Sequence, residues 1–297
     1  MDSLPNTLII GAAKAGTTTL YDLLKQHPQV FLSFDKEPMF FSRDDFFFQG
    51  VEWYTQKFFD GSDNYPVRGE ATPHYLYWAK KVSPRIKETY NNRPPKFIVI
   101  LRNPIERAYS WYWNMVSEGR EKLSFLDALL AEESRIRDNW TELEYFGWMK
   151  YGYFRGGCYA SQIQNFFENF PKDRFYILLQ EDLIRDQRTS MKNIFNFLGV
   201  NPEFDITPGL SNPSAAPRIR SLHMLIRNPS QFKDFLKPFL PDRFRHEIKS
   251  MILKNNIKRF RYPEMESRAY SYLKEKFAFE IASLSVIIER DLSHWIK

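Results

Sequence analysis

The chain has 297 residues, 43% hydrophobic and 17% aromatic, with 42 basic side chains against 36 acidic ones and a net charge of +6. That apolar content is ample for a folded core, and the charge excess suits an anionic ligand but is too slight to argue a nucleic-acid surface. One cysteine, Cys158, excludes an internal disulfide and argues against a cysteine-based metal site. No run approaches the ~18 apolar residues of a membrane span, and no basic region followed by a long apolar stretch opens the chain. A cytoplasmic, reducing setting is expected, with neither membrane nor nucleic acid as a partner.

Thr7 to Ile10 is an apolar run closed by Gly11 and reads as a buried strand. From Thr17 to Gln26 the pattern places Leu20, Leu23 and Leu24 on one helical face. Between them lies a tight loop with two glycines, Lys14 and a run of threonines. Such a strand–loop–helix can aim backbone N–H groups and a helix N-terminus at one anion, so it reads as a phosphate cradle. Set against G-x-x-x-x-G-K-[ST], Gly11 and Gly16 have the right separation and Thr18 stands at the hydroxyl position. Thr17 takes the place of the lysine, which has moved inside the loop as Lys14. A cradle altered in this way is poorly built for a triphosphate with Mg²⁺; the plain alternative is an ordinary glycine-containing turn.

Val30 to Ser33 follows the His27-Pro28 turn as a short strand, and Lys36-Glu37 then precedes Pro38, Met39 and the pair Phe40-Phe41. Gly50 to Phe59 reads as a helix anchored by Trp53, Tyr54 and Phe58. Val67 to Tyr75 reads as a polar, proline-containing turn leaving a sheet edge, and Ser83 to Tyr90 as a short helix started by Pro84 near its first turn. Lys96 to Leu101 is the clearest strand, apolar from Phe97 onward and therefore expected to be central and parallel. It ends in Arg102, where a P-loop hydrolase wants an aspartate that helps hold Mg²⁺. Arg102 is a good phosphate fork, and Ser110, eight residues on, is placed to share the same anion. The bland reading pairs Arg102 with a surface carboxylate instead.

A helix is expected from Ile105 to about Glu118, and another from Ser124 to Arg137 with Ser124 as its N-cap. Trp140 to Lys150 reads as a lid over an acceptor. Tyr159 to Asn169 is helical, Phe175 to Leu179 is a strand, and Thr189 to Leu198 is helical again. Gly209 to Arg220 is irregular, and Ser221 to Lys297 is expected to be mainly helical. Strands alternate with helices. The expected class is α/β, with a mostly parallel central sheet flanked by helices, a P-loop-like nucleotide site and a single domain over 1–297.

Gly11 to Leu20, Gly69-Glu70-Ala71-Thr72-Pro73 and Leu101 to Ser110 together resemble the sulfotransferases that use 3′-phosphoadenosine 5′-phosphosulfate (PAPS), nearest to bacterial enzymes and to the heparan-type glycan sulfotransferase domains. The likeness extends over Arg155 to Asp186 and Arg290 to Trp295. It implies that Lys14, Ala15, Gly16, Thr17, Thr18 and Thr19 form a 5′-phosphosulfate loop. It implies that Arg102 and Ser110 hold the 3′-phosphate, that Tyr159 lies beside the nucleotide, and that Ser214 to Arg220 closes over it with Arg218 or Arg220 as phosphate contacts. The product is then adenosine 3′,5′-bisphosphate (PAP), and no metal is expected. By analogy with loose phosphoryl transfer, the reaction needs in-line positioning, charge stabilisation, here by Lys14, and a base for the acceptor's proton. Glu37, ahead of Phe40-Phe41 as in the glycan enzymes, is the candidate base; His74, suited by type to neutral pH, is its rival.

Two departures bear on the acceptor. Glycan enzymes of this kind commonly carry a histidine where this chain has Met39 and a lysine where it has Ala71. Both losses remove polarity, which points to a smaller or less anionic acceptor. Phe46-Phe47-Phe48 with Trp53, and Trp111-Tyr112-Trp113, line an acceptor pocket or, more commonly, a core. The basic set Arg243, Arg245, Lys249, Lys254, Lys258, Arg259 and Arg261 is a solvated face or a dock for an anionic carrier protein. The competing functions are a P-loop kinase or NTPase, and a nucleotide-binding module without turnover.

Overall fold

The computed structural model describes residues 4–91, 93–138, 150–209, 215–217, 257–259 and 262–297. Five strands form one parallel sheet: β1 (Thr7–Gly11), β2 (Val30–Leu32), β3 (Val67–Ala71), β4 (Lys96–Leu101) and β5 (Phe175–Leu179), in the order β2-β3-β1-β4-β5. Ile9 faces Ala71 on one side and Ile98 on the other. Every residue of β1 and every residue of β4 after Lys96 is buried, as strands covered by helices on both faces must be.

The flanking helices are α1 (Thr17–Leu24), α2 (Asp44–Phe47), α3 (Gly50–Phe59), α4 (His74–Tyr77), α5 (Ala79–Tyr90), α6 (Pro104–Ser117), α7 (Phe125–Leu130), α8 (Glu132–Asp138), α9 (Tyr159–Phe167), α10 (Gln180–Arg185), α11 (Gln187–Leu198) and α12 (Ser267–Ile287). α1 buries Leu20, Leu23 and Leu24 against the sheet, the face its periodicity required. From β1 the chain runs to β2, returns to β3 beside β1, and then crosses to β4 on the other flank of β1. β1 therefore lies at the switch point, and parallel pairing puts all five carboxyl ends on one rim. The carboxy-terminal turn docks on that rim: Asn103 donates to the Trp295 carbonyl (2.8 Å) and the Trp295 indole donates to Glu181 (3.1 Å).

Several elements differ from the sequence reading. Val67 to Ala71 is an interior strand, not the start of a turn at a sheet edge, and only Thr72 and Pro73 separate it from α4. Its buried charged member, Glu70, is tolerated in the core because hydroxyl groups satisfy it. Pro84 lies inside α5, which begins at Ala79, so it does not start the helix. The expected helix from Ser124 is two: Ser124 caps α7 by accepting from the Asp127 N–H (3.2 Å), and Ala131 parts it from α8. α8 begins at Glu132, whose buried carboxylate accepts the Phe154 and Arg155 N–H groups at 2.7 and 2.9 Å. β6 (Ala215–Pro217) and β7 (Ile257–Arg259) pair antiparallel, one in the stretch read as irregular and one in the stretch read as helical. The proposed lid, Arg218, Arg220 and most of the basic set lie outside the described residues. Of the aromatics, Phe46, Phe47 and Trp53 pack on the core while Phe48 is exposed.

Candidate active site

The loop after β1 is pinned from below. The Ala12 N–H donates to the Ile100 carbonyl of β4 (2.7 Å) and the Ala15 N–H to the Ala12 carbonyl (3.2 Å). Gly16 closes the loop at φ +102°, a left-handed conformation that glycine adopts without penalty, and stands as the cap residue of α1 with no side-chain partner. The first helical bond counted from that end runs from the Leu20 N–H to the Gly16 carbonyl. The N–H groups of Thr17, Thr18 and Thr19 consequently have no intrahelical carbonyl and point out of the helix end. The helix dipole adds to them, which makes this end a receptor for an anion. Gly11 serves a different need: a Cβ there would come within 2.6 Å of the Leu76 Cβ, so α4 can approach β1 only over a glycine.

Lys14 and Arg102 meet across the cleft between β1 and β4. The Arg102 Nη1 donates to the Lys14 carbonyl (3.5 Å), while its Nε and Nη2 donate to Glu106 (3.0 and 2.9 Å). The plain reading of Arg102 holds, since it is tethered to a surface carboxylate, and its guanidinium also lies at the cradle. Tyr159 is fully buried and its hydroxyl donates to the Arg102 carbonyl (3.1 Å), so it supports this turn from within the core. Ser110 is buried in α6. The Lys14 ammonium donates to Asn114 Oδ1 (3.3 Å), and Asn114 in turn donates to Glu118 (3.1 Å). Burial, then Arg102, push the Lys14 pKa down from its ordinary value, with Lys36 adding to the same effect. Three cations crowded together form a field that an arriving anion relieves.

Glu37 and His74 come from the loops after β2 and β3. The His74 Nε2 lies 3.9 Å from Glu37 Oε2, and Lys36 Nζ lies 3.9 Å from Glu37 Oε1. Lys36 also donates to the Thr18 hydroxyl (2.5 Å), which ties the carboxylate's loop to the cradle. Burial is the main cause that lowers the His74 pKa, so the imidazole is neutral at physiological pH and able to accept a proton. Its ring meets Trp111 edge-on at 5.8 Å. A cavity of about 20 Å³, room for one water, lies among Ala12, Pro73, His74, Arg107 and Trp111. Asn114 lies four residues after Ser110 and three after Trp111, so it adjoins each of them on the surface of α6.

The structure brings Lys14, Gly16, Thr17, Thr18, Glu37, His74 and Arg102 to one rim. The plain sequence reading of Glu37, a carboxylate paired with the adjoining Lys36, agrees with their 3.9 Å separation. Sequence reasoning missed Asn114 as the partner of Lys14 and Thr18 as the partner of Lys36. Asn114 carries no local signal, because its link to Lys14 spans 100 positions. Among the described residues, no group of three His, Cys, Asp or Glu side chains is arranged to hold a metal ion.

Comparison with known proteins comes to the same place. The sequence profile of the family described as sulfotransferase domain matches residues 4–280. The human bifunctional heparan sulfate N-deacetylase/N-sulfotransferase 3 is 29% identical over 227 residues, covering 71% of this chain and 24% of that protein. Heparan sulfate glucosamine 3-O-sulfotransferase 5 of Mus musculus is 29% identical over 204 residues, covering 68% of this chain and 55% of its own length. The chain thus spans about half or less of these relatives. The crystal structure of a sulfotransferase from Alicyclobacillus acidocaldarius superposes with a TM-score of 0.70 at 26% identity, over 99% of both chains.

Proposed function

The chain belongs to the sulfotransferase domain family, and from that premise we propose that it moves a sulfuryl group from PAPS to a hydroxyl or amine of a small-molecule acceptor, releasing PAP. The observation that supports this reading is the contact of the Arg102 guanidinium with the Lys14 carbonyl, a fixed cation beside the cradle, as a doubly phosphorylated nucleotide would need. When bound, PAPS supplies the sulfuryl group and a phosphate leaving group. The backbone from Ala15 to Thr19 holds the 5′-phosphosulfate, and Lys14 stabilises charge on the leaving side. Arg102 and Ser110 take the 3′-phosphate, and Tyr159 keeps the Arg102 turn in place. Arg218 and Arg220 complete this set on sequence grounds.

Glu37 removes the acceptor's proton. His74, whose Nε2 lies 3.9 Å from that carboxylate, is the rival for this role. The acceptor is less anionic than the heparan sulfate named for the relatives, because Met39 and the fully buried Ala71 offer no charge where glycan enzymes place histidine and lysine. One domain carries the whole activity, in a cytoplasmic setting that suits the lone Cys158. No described helix is long and apolar enough to cross a membrane.

Titration calorimetry with PAP and with Mg-ATP separates this function from a kinase: PAP binding without Mg²⁺ is expected, and preference for Mg-ATP would end the proposal. Transfer of labelled sulfate from PAPS into a broad panel of alcohols and amines separates an enzyme from a binding module. Glu37→Gln is expected to abolish transfer while leaving PAP affinity within about twofold, as a base that touches only the acceptor side should. If His74→Ala behaves this way and Glu37→Gln does not, the roles are exchanged.

A further inference from the structure

Glu70 is a charged side chain with no exposed surface, and the transfer chemistry described so far does not use it. Three hydroxyl groups donate to its carboxylate: Tyr54 (2.7 Å) and Tyr75 (3.0 Å) to Oε1, and Thr72 (2.8 Å) to Oε2. Two of those hydroxyls have a second partner. The Thr72 oxygen accepts the Met39 N–H (3.3 Å), and the Tyr75 oxygen accepts the Phe41 N–H (3.2 Å). Between β3 and this loop a third bond joins backbone to backbone, from the Glu37 N–H to the Ala71 carbonyl (3.1 Å). Residues 37, 39 and 41 are thereby held at alternate positions, as a strand would be, although the chain there is not one.

The loop needs such holding. Glu37 and Met39 both have positive φ, +66° and +58°, in the region that favours glycine. A hydroxyl rotates, and its oxygen faces an N–H squarely only if its own proton is engaged elsewhere. Glu70 engages both protons. With those protons on the carboxylate oxygens, the oxygens of Thr72 and Tyr75 are turned to the loop N–H groups.

We infer that Glu70 is a positioning residue for sulfuryl transfer: through Thr72 and Tyr75 it fixes the strained loop that presents Glu37 opposite His74. The inference rests on the proposed role of Glu37. It distinguishes Thr72 and Tyr75, which bridge to the loop, from Tyr54, whose hydroxyl donates to the same carboxylate but receives no loop N–H among the described bonds. Tyr54 stacks on Phe40 through its ring (4.2 Å), and a phenylalanine retains that contact.

The test compares Glu70→Gln, Thr72→Val, Thr72→Ser, Tyr75→Phe and Tyr54→Phe in steady-state sulfate transfer, PAP calorimetry and thermal melting. Thr72→Val and Tyr75→Phe are expected to lower kcat about 10- to 100-fold, as a misplaced catalytic group does, with PAP affinity unchanged. Thr72→Ser, which keeps the hydroxyl, restores kcat, and Tyr54→Phe keeps wild-type kcat even where its melting temperature falls. Glu70→Gln joins the low-kcat group; should it fail to fold, the Thr72 and Tyr75 variants decide alone. If kcat follows melting temperature alike in all variants, or if Thr72→Val and Tyr75→Phe turn over normally, the inference is overturned. Glu37→Gln run alongside keeps the two claims apart. An active Glu37→Gln removes the base assignment itself, whereas an inactive one beside active Thr72 and Tyr75 variants removes only the positioning role of Glu70.

Discussion

Arg102 carries a structural tether together with the binding role proposed for it. Glu106 fixes two of its nitrogens and leaves Nη1 turned to the cradle. Replacing it by alanine removes charge-assisted hydrogen bonds, and a 10- to 100-fold weaker PAP affinity, roughly 1.5–3 kcal/mol, is expected by calorimetry. Lysine should recover only part of this, since it lacks the planar fork. Glu70 makes a prediction of another kind. Burial, opposed by its three hydroxyl donors, raises its carboxyl from an ordinary 4.5 to about 7. Between those values the folded state keeps a proton that the unfolded chain has released, so this group's contribution to stability falls as pH rises through the window. The difference of about 2.5 units corresponds to about 3 kcal/mol. Glu132, also raised to about 7 by burial, gives a slope of the same sign. The measurement is therefore the difference in urea midpoint between wild type and Glu70→Gln from pH 5 to pH 8. The wild type should lose stability relative to the variant as pH rises; a constant difference would contradict it.

Among the elements, those governed by local chemistry were legible and those governed by distant partners were not. Ser124 caps α7 as its position required, because the cap bond lies within three residues. The strand–loop–helix from Thr7 to Leu24 was readable because hydrophobic run, glycines and helical face are contiguous. β3 was not: a glutamate in mid-strand argues against burial until Tyr54, Thr72 and Tyr75 are seen to satisfy it. The break at Ala131 has the same origin, since Glu132 is held by N–H groups more than 20 positions away. Packing between elements gives its own test. Gly11→Ala would drive a Cβ to 2.6 Å from the Leu76 Cβ, and α4 and β1 would have to part. A loss of about 1–3 kcal/mol is expected in urea denaturation.

Across the whole molecule the candidate active site is a consequence of sheet topology. Parallel pairing in the order β2-β3-β1-β4-β5 sends the loops carrying Glu37, His74, Lys14 and Arg102 to one rim, and their separation in sequence has no bearing on this. The resulting positive field should make PAP affinity fall with added salt, and Arg102→Ala should flatten that dependence in calorimetry between 50 and 500 mM salt, taken as round working concentrations. The amino-acid sequence by itself determined the class of fold, the anion-binding turn and the family, because these rest on contiguous patterns and on residue types whose chemistry is intrinsic. Tertiary structure alone decided which groups meet: Arg102 with Lys14, Asn114 with Lys14, and Lys36 with Thr18. It also decided that a core carboxylate commands the loop of Glu37. Such pairings are set by strand order and by the geometry of buried hydrogen bonds, and neither is written in local periodicity.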